Sequence, residues 1–138
     1  MYKTIVAGTD GSETAGEAVR QALELAKAVG ATLHLVTGGE PRFDDPLPVG
    51  DTAAQETAAQ KIVREAAESL DASGVTIETH AQVGEGATAI TDVAEQVGAD
   101  LIVVGNRGIS SPKRFLLGSV PTKVAHYAPC SVLIVRTT

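Results

Sequence analysis

One segment gathers the residue types that hold a negatively charged oxygen. It reads Gly105-Asn-Arg107-Gly108-Ile-Ser-Ser-Pro-Lys113-Arg114-Phe-Leu-Leu-Gly118-Ser119-Val-Pro121. Gly105 and Gly108 lie three apart, and nine residues separate Gly108 from Gly118. Glycine lets a backbone N–H approach an oxyanion with no Cβ in the way. A helix opening at Gly118 adds oriented N–H donors and a partial positive charge. Ser119 can cap that helix and donate to a phosphate oxygen, while Arg107, Lys113 and Arg114 supply charge. These are the parts of a triphosphate cradle; the plain alternative is a loop whose glycines only make turns.

Charge distribution favours the cradle. The chain carries 17 acidic residues and a net charge of −6. Every acidic residue lies at or before Asp100, whereas Arg107, Lys113, Arg114, Lys123 and Arg136 all lie beyond it. A locally basic region inside an acidic protein suits a small anion. The overall balance argues against a nucleic-acid partner, because phosphate backbones want Lys and Arg. The segment has no Gly-x-x-x-x-Gly-Lys-Ser/Thr, and no Gly-x-Gly-x-x-Gly follows the first strand, so neither common phosphate motif is present.

Other reactive residue types are weaker candidates. Asp10, before Gly11 at a strand end, is a carboxylate for a ligand or a simple turn former. His34, His80 and His126 show no metal spacing and read as surface or packing residues. Cys130 is the one cysteine, which excludes an internal disulfide, and it reads as a small buried hydrophobe.

The elements that must position these residues follow from hydrophobic patterning. Strand 1 is expected at 3–8, helix 1 at 13–29 and strand 2 at 32–36. Residues 37–50, rich in Gly and Pro, read as a loop. Helix 2 is expected at 52–72, an alternating edge strand at 75–83, helix 3 at 87–97 and an apolar central strand at 101–104. Helix 4 at 118–127 and a last strand at 132–135 complete a β-α-β-α-β-α-β-α-β order. That alternation predicts an α/β fold, a single open five-stranded parallel sheet with helices on both faces. Strand order 3-2-1-4-5 places strand 3 at an edge, in keeping with its alternation. Residues 1–138 are expected to form one domain. Ligands in such sheets bind at the carboxyl ends of strands where strand order reverses. The loops 8–12, 37–50 and 105–117 should therefore meet in one crevice. No apolar run reaches 18 residues and the N-terminus has no signal-peptide pattern, so the chain is expected to be cytoplasmic and not membrane-bound.

The glycine spacing resembles the ATP-binding signature Gly-2x-Gly-9x-Gly-Ser/Thr of universal stress proteins. Ile5-Val-Ala-Gly-Thr-Asp-Gly-Ser12, Ala99-Asp-Leu-Ile-Val-Val-Gly105 and Ala128-Pro-Cys-Ser-Val-Leu-Ile-Val135 are similar to that family's first strand, fourth strand and ending. The resemblance covers nearly the whole chain outside 37–50. It implies ATP, with magnesium, between the loops after strands 1 and 4. Thr9 and Asp10 would lie by the adenosine, with Asp10 near the ribose or the metal-bound phosphates. Val36 would pack on adenine. Val104, Gly105, Arg107 and Gly108 would line the ribose and phosphates, and Gly118, Ser119 and Val120 would hold the phosphates.

A single nearby carboxylate is a thin catalytic set for phosphoryl transfer. The expectation is a stress-related regulatory protein with slow or no hydrolysis, at most a weak ATPase. Alternatives are a cyclic AMP binder of the same fold, or a nucleotide-independent interaction module. Strand Val132–Val135, if it is a bare sheet edge, invites pairing. A homodimer through it is expected, as in similar proteins, alongside an unknown protein partner.

Overall fold

The computed structural model describes residues 1–39, 57–107 and 117–137. In chain order the elements are β1 (Thr4–Gly8), α1 (Glu13–Val29), β2 (Thr32–Gly39), α2 (Ala58–Glu68), β3 (Ile77–Val83), α3 (Gly86–Val97), β4 (Leu101–Gly105), α4 (Ser119–Tyr127) and β5 (Ser131–Val135). All strand pairs are parallel, in the order β3-β2-β1-β4-β5. The expected α/β architecture and strand order are both observed.

Period-two alternation makes the central strands apolar on both sides. Ile5, Ala7, Leu33, Leu35, Leu101 and Val103 face α1 and α2, packing with Ala18, Val19, Ala22 and Val63. Val6, Val36, Ile102 and Val104 face α3 and α4, packing with Ile90, Val93 and Val124. Both faces are therefore covered, as a parallel sheet requires. Ala at the helix contacts lets the helices sit close to the sheet, which is how so aromatic-poor a sequence fills its core.

The helices start and stop on chemistry visible in the sequence. The Ser12 hydroxyl caps α1 by accepting from the Ala15 N–H at 3.2 Å. Thr57 and Gln60 form a reciprocal capping box at the start of α2. Gly30 and Gly98 end α1 and α3 in the left-handed conformation, φ 72° and 66°.

Two element ends differ from expectation by three residues or more. β2 continues through Thr37, Gly38 and Gly39, because pairing with Ala81, Gln82 and Val83 of β3 overrides the glycines. Residues 37–39 of the expected loop are thus strand, and residues 40–50 lie outside the described ones. α2 stops at Glu68 rather than Ala72; the Ser69 hydroxyl donates to the Ala66 carbonyl at 2.7 Å, and an Asp71–Ser73 turn follows. Residues 52–56 of the expected helix 2 also lie outside the described residues.

The edge strand is fastened by a contact that sequence distance hid. His34 of β2 is 6 % exposed. Its Nδ1 lies 2.9 Å from His80 Nε2 on β3, and its Nε2 is 3.6 Å from the Glu78 carboxylate. Burial pushes the His34 imidazole below its ordinary pKa; Glu78 opposes this and His80 adds to it. The unfolded chain therefore takes up the His34 proton more readily than the folded one. Stability from this group is full above the unfolded pKa of about 6.5 and is lost as pH falls below it. Urea melts between pH 8 and pH 5 should show stability declining below about 6.5, with a shallower decline in His34→Leu. Identical slopes in the two proteins would remove His34 as the cause.

Candidate functional site

An open cleft lies at the carboxyl ends of the strands. It sits where β1 and β4 diverge, the point at which the strand order reverses.

The floor is apolar. Val36 of β2 and Val104 of β4 line it together with Gly8, Gly38 and Ile90. Gly8 ends β1 directly against α3: a Cβ there would run into the Cδ1 and Cγ1 of Ile90. Gly38 is closer still to backbone, since a Cβ would lie 2.9 Å from both the Gly84 carbonyl oxygen and the Gly86 Cα. These two glycines bring β1, β2 and the β3–α3 turn together and leave a flat slot. The Val36 carbonyl accepts from the Thr9 N–H at 2.9 Å, so it points toward β1. Two residues on, Gly38 turns its N–H and C=O to the same side, past the end of β1.

The β1 loop is held rigidly over this floor. Thr37, 2 % exposed, donates its hydroxyl to the Thr9 carbonyl at 2.7 Å. Thr9 Oγ1 accepts from the Gly11 N–H at 3.1 Å, and the Asp10 carboxylate accepts from the Ser12 N–H at 2.9 Å. Asp10 thus does ordinary turn chemistry while also lining the cleft. The Thr14 hydroxyl donates to the Arg107 carbonyl at 3.4 Å, tying the β1 and β4 loops together.

The polar end of the cleft is cationic. Arg107 lines it, half-buried. α3 and α4 also begin here, through Gly86 and through Val120 and Pro121. Neither helix has a side-chain cap bond or an acidic residue in its first turn. Glu85, the residue before α3, directs its carboxylate instead to Lys123 Nζ of α4, 2.5 Å away. First-turn N–H groups of both helices therefore keep their donor capacity and positive potential.

The structure brings Thr9, Asp10, Val36, Val104, Gly105, Arg107 and Val120 to one cleft. Gly118 and Ser119 immediately precede Val120 at the α4 N-terminus. The capping assignment moves by one residue: Gly118 is the N-cap, and Ser119 is the first helical residue, exposed, with no capping bond. The reason is backbone geometry, since Gly118 holds the extended conformation of a cap while Ser119 is already helical. Gly108, Lys113 and Arg114 lie outside the described residues. Gly86 and Ile90 were not foreseen, and Gly8 and Gly38 were expected only as members of the 8–12 and 37–50 loops. A glycine directly after an apolar strand was the available signal for Gly8 and Gly38.

A doubly covered parallel sheet with a glycine-floored cleft at its reversal point defines a Rossmann-like α/β protein. The chain belongs to the universal stress protein family, whose family model matches residues 1–136. It is 37% identical over 143 residues to universal stress protein Rv1636 of Mycobacterium tuberculosis strain H37Rv, covering 99% of this chain and 98% of that one. A crystal structure of a universal stress protein in complex with cAMP is 38% identical, with TM-score 0.76, covering 99% of this chain and 98% of the other. The universal stress protein of Archaeoglobus fulgidus in complex with dAMP is 26% identical, with TM-score 0.68, covering 98% of both chains. Among the described residues, no helix is long and apolar enough to cross a membrane.

Proposed function

We propose that this protein binds an adenine nucleotide, ATP with its magnesium, in the cleft between the β1 and β4 loops. It acts as a cytoplasmic stress-related regulator with slow or no hydrolysis, and residues 1–138 work as one domain. The observation that carries the reading is the cleft's two-part character. An apolar slot of Val36, Gly38, Ile90 and Val104 leads to Arg107 and the uncapped α4 N-terminus. A flat base fits the first part and phosphates fit the second.

In this reading Val36 packs on adenine, and the Gly38 backbone faces the base edge. Thr9 and Asp10 lie beside the ribose. Gly105, Arg107 and Gly108 meet the phosphates from one side, and Gly118, Ser119 and Val120 from the other. Magnesium travels with the nucleotide, and Asp10 reaches it only through the phosphates. The bound ion would offset phosphate charge. The Asp10 carboxylate is engaged in its own turn, which suits occupancy signalling rather than rapid turnover.

The complexes of two relatives with cAMP and dAMP support an adenine ligand. The cAMP complex also favours a second reading, cyclic AMP as the preferred ligand. Side-by-side titration with ATP and cyclic AMP separates the two, and native mass spectrometry of freshly purified protein reports any retained nucleotide. Tighter binding of cyclic AMP than ATP would overturn the first reading.

β5 is an edge of the sheet, and Leu133 is 40% and Tyr127 71% exposed beside it. A homodimer through Val132–Val135 would cover that edge, leaving other surfaces for a protein partner.

A further inference from the structure

Asn106 lies between two cleft-lining residues, Gly105 and Arg107, and is only 4 % exposed. The end of β5, the start of α4 and the tail after β5 meet on it. Its backbone N–H donates to the Val135 carbonyl at the end of β5, at 2.9 Å. Its backbone carbonyl accepts from the Gly118 N–H, the N-cap of α4, at 2.7 Å. Its side-chain Oδ1 accepts from both the N–H and the hydroxyl of Thr137, at 2.9 and 3.1 Å.

This arrangement joins the end of β4 to the start of α4 by one short backbone bond. The backbone that makes the bond is held from behind by the side chain's grip on Thr137. A buried amide with satisfied partners is rigid, and its orientation is fixed by all of them together. Rotation of Asn106 would move Gly105, Arg107 and Gly118 at once. The base end of the cleft is held by contacts of its own, by Thr37 on the Thr9 carbonyl and by the contact of Gly38 with the β3–α3 turn.

We propose that Asn106 is the positioning residue of the phosphate end of the cleft. It fixes the spacing between the Gly105–Arg107 backbone and the α4 N-terminus, and it does so through Thr137 without touching the ligand. The proposal rests on the adenine-nucleotide reading and deepens it. Its consequence is selective: loss of Asn106 costs recognition of phosphate and spares recognition of the nucleoside, because preorganised donors matter only to the group they face.

The test compares ATP with adenosine in three proteins, by NMR titration. Asn106→Leu keeps the size and removes the acceptor. Thr137→Pro removes the donated N–H and hydroxyl while leaving Asn106 in place, and it carries the test should Asn106→Leu not fold. ATP affinity is expected to fall about tenfold in Asn106→Leu and about threefold to fivefold in Thr137→Pro. Adenosine affinity is expected to stay within about twofold of the unaltered protein in both. Equal losses for ATP and adenosine would reduce Asn106 to a general packing role and overturn the proposal. So would unchanged ATP affinity in both variants. Failure of the unaltered protein to bind ATP would instead remove the nucleotide reading, and this proposal with it.

Discussion

Replacing Gly38 with alanine is expected to lower the thermal midpoint and weaken nucleotide binding together. The added Cβ would sit 2.9 Å from the Gly84 carbonyl oxygen, 2.9 Å from the Gly86 Cα and 3.0 Å from the Ala89 Cβ. Two of these neighbours are backbone, so no rotamer change relieves the contact. The β3–α3 turn must move outward, and α3 moves with it. Overpacking of this kind costs about 1–3 kcal/mol, which for a chain of this size lowers the midpoint by roughly 4–10 °C. The same displacement opens the slot between Val36, Gly38 and Ile90, so affinity for the base falls too. Calorimetry and a nucleotide titration on one preparation check both effects. An unchanged midpoint would show that the turn yields freely, and the cleft floor would then not depend on Gly38.

Exchanging Arg107 for glutamine should leave the midpoint near its original value and weaken ATP binding about tenfold at low salt. Arg107 is the basic side chain that lines the cleft among the described residues. A hydrogen bond to a charged group is worth about 1.5–3 kcal/mol, and the half-buried setting limits screening. The deficit should shrink with added salt and should fall from ATP to AMP to adenosine. Isothermal titration across those ligands measures it. Equal affinity of both proteins for ATP would place the phosphates away from Arg107.

What the sequence made legible follows from where the physical information resides. α1 has the boundaries expected because its apolar residues recur every three or four positions and both caps are local. The parallel sheet and its two-sided burial followed from the alternation of elements and the apolar strands, and the strand order agreed with the edge pattern of β3. β2 was read short because Gly38 and Gly39 look like a turn in one dimension. Their strand conformation comes from β3, more than forty residues away. Likewise His34 and His80 are unremarkable in the chain and become neighbours only through that register. In the site, the Asp10 loop was legible because it is a local pattern. Ile90, Gly86 and Asn106 were not, because each acquires its place by tertiary approach. Asn106 stood inside the recognised segment, and only its burial distinguishes it from a loop residue.

The central claim is that the first-turn amides of α4 and Arg107 receive an adenine nucleotide. Titration of the purified protein with ATP and magnesium in a calorimeter tests this most directly. The expected result is a saturable heat with one site per chain. Bound ligand at about a hundred times its dissociation constant should add about 2.7 kcal/mol of stability, visible as a raised thermal midpoint. No heat and no upward shift at millimolar ATP would contradict the account.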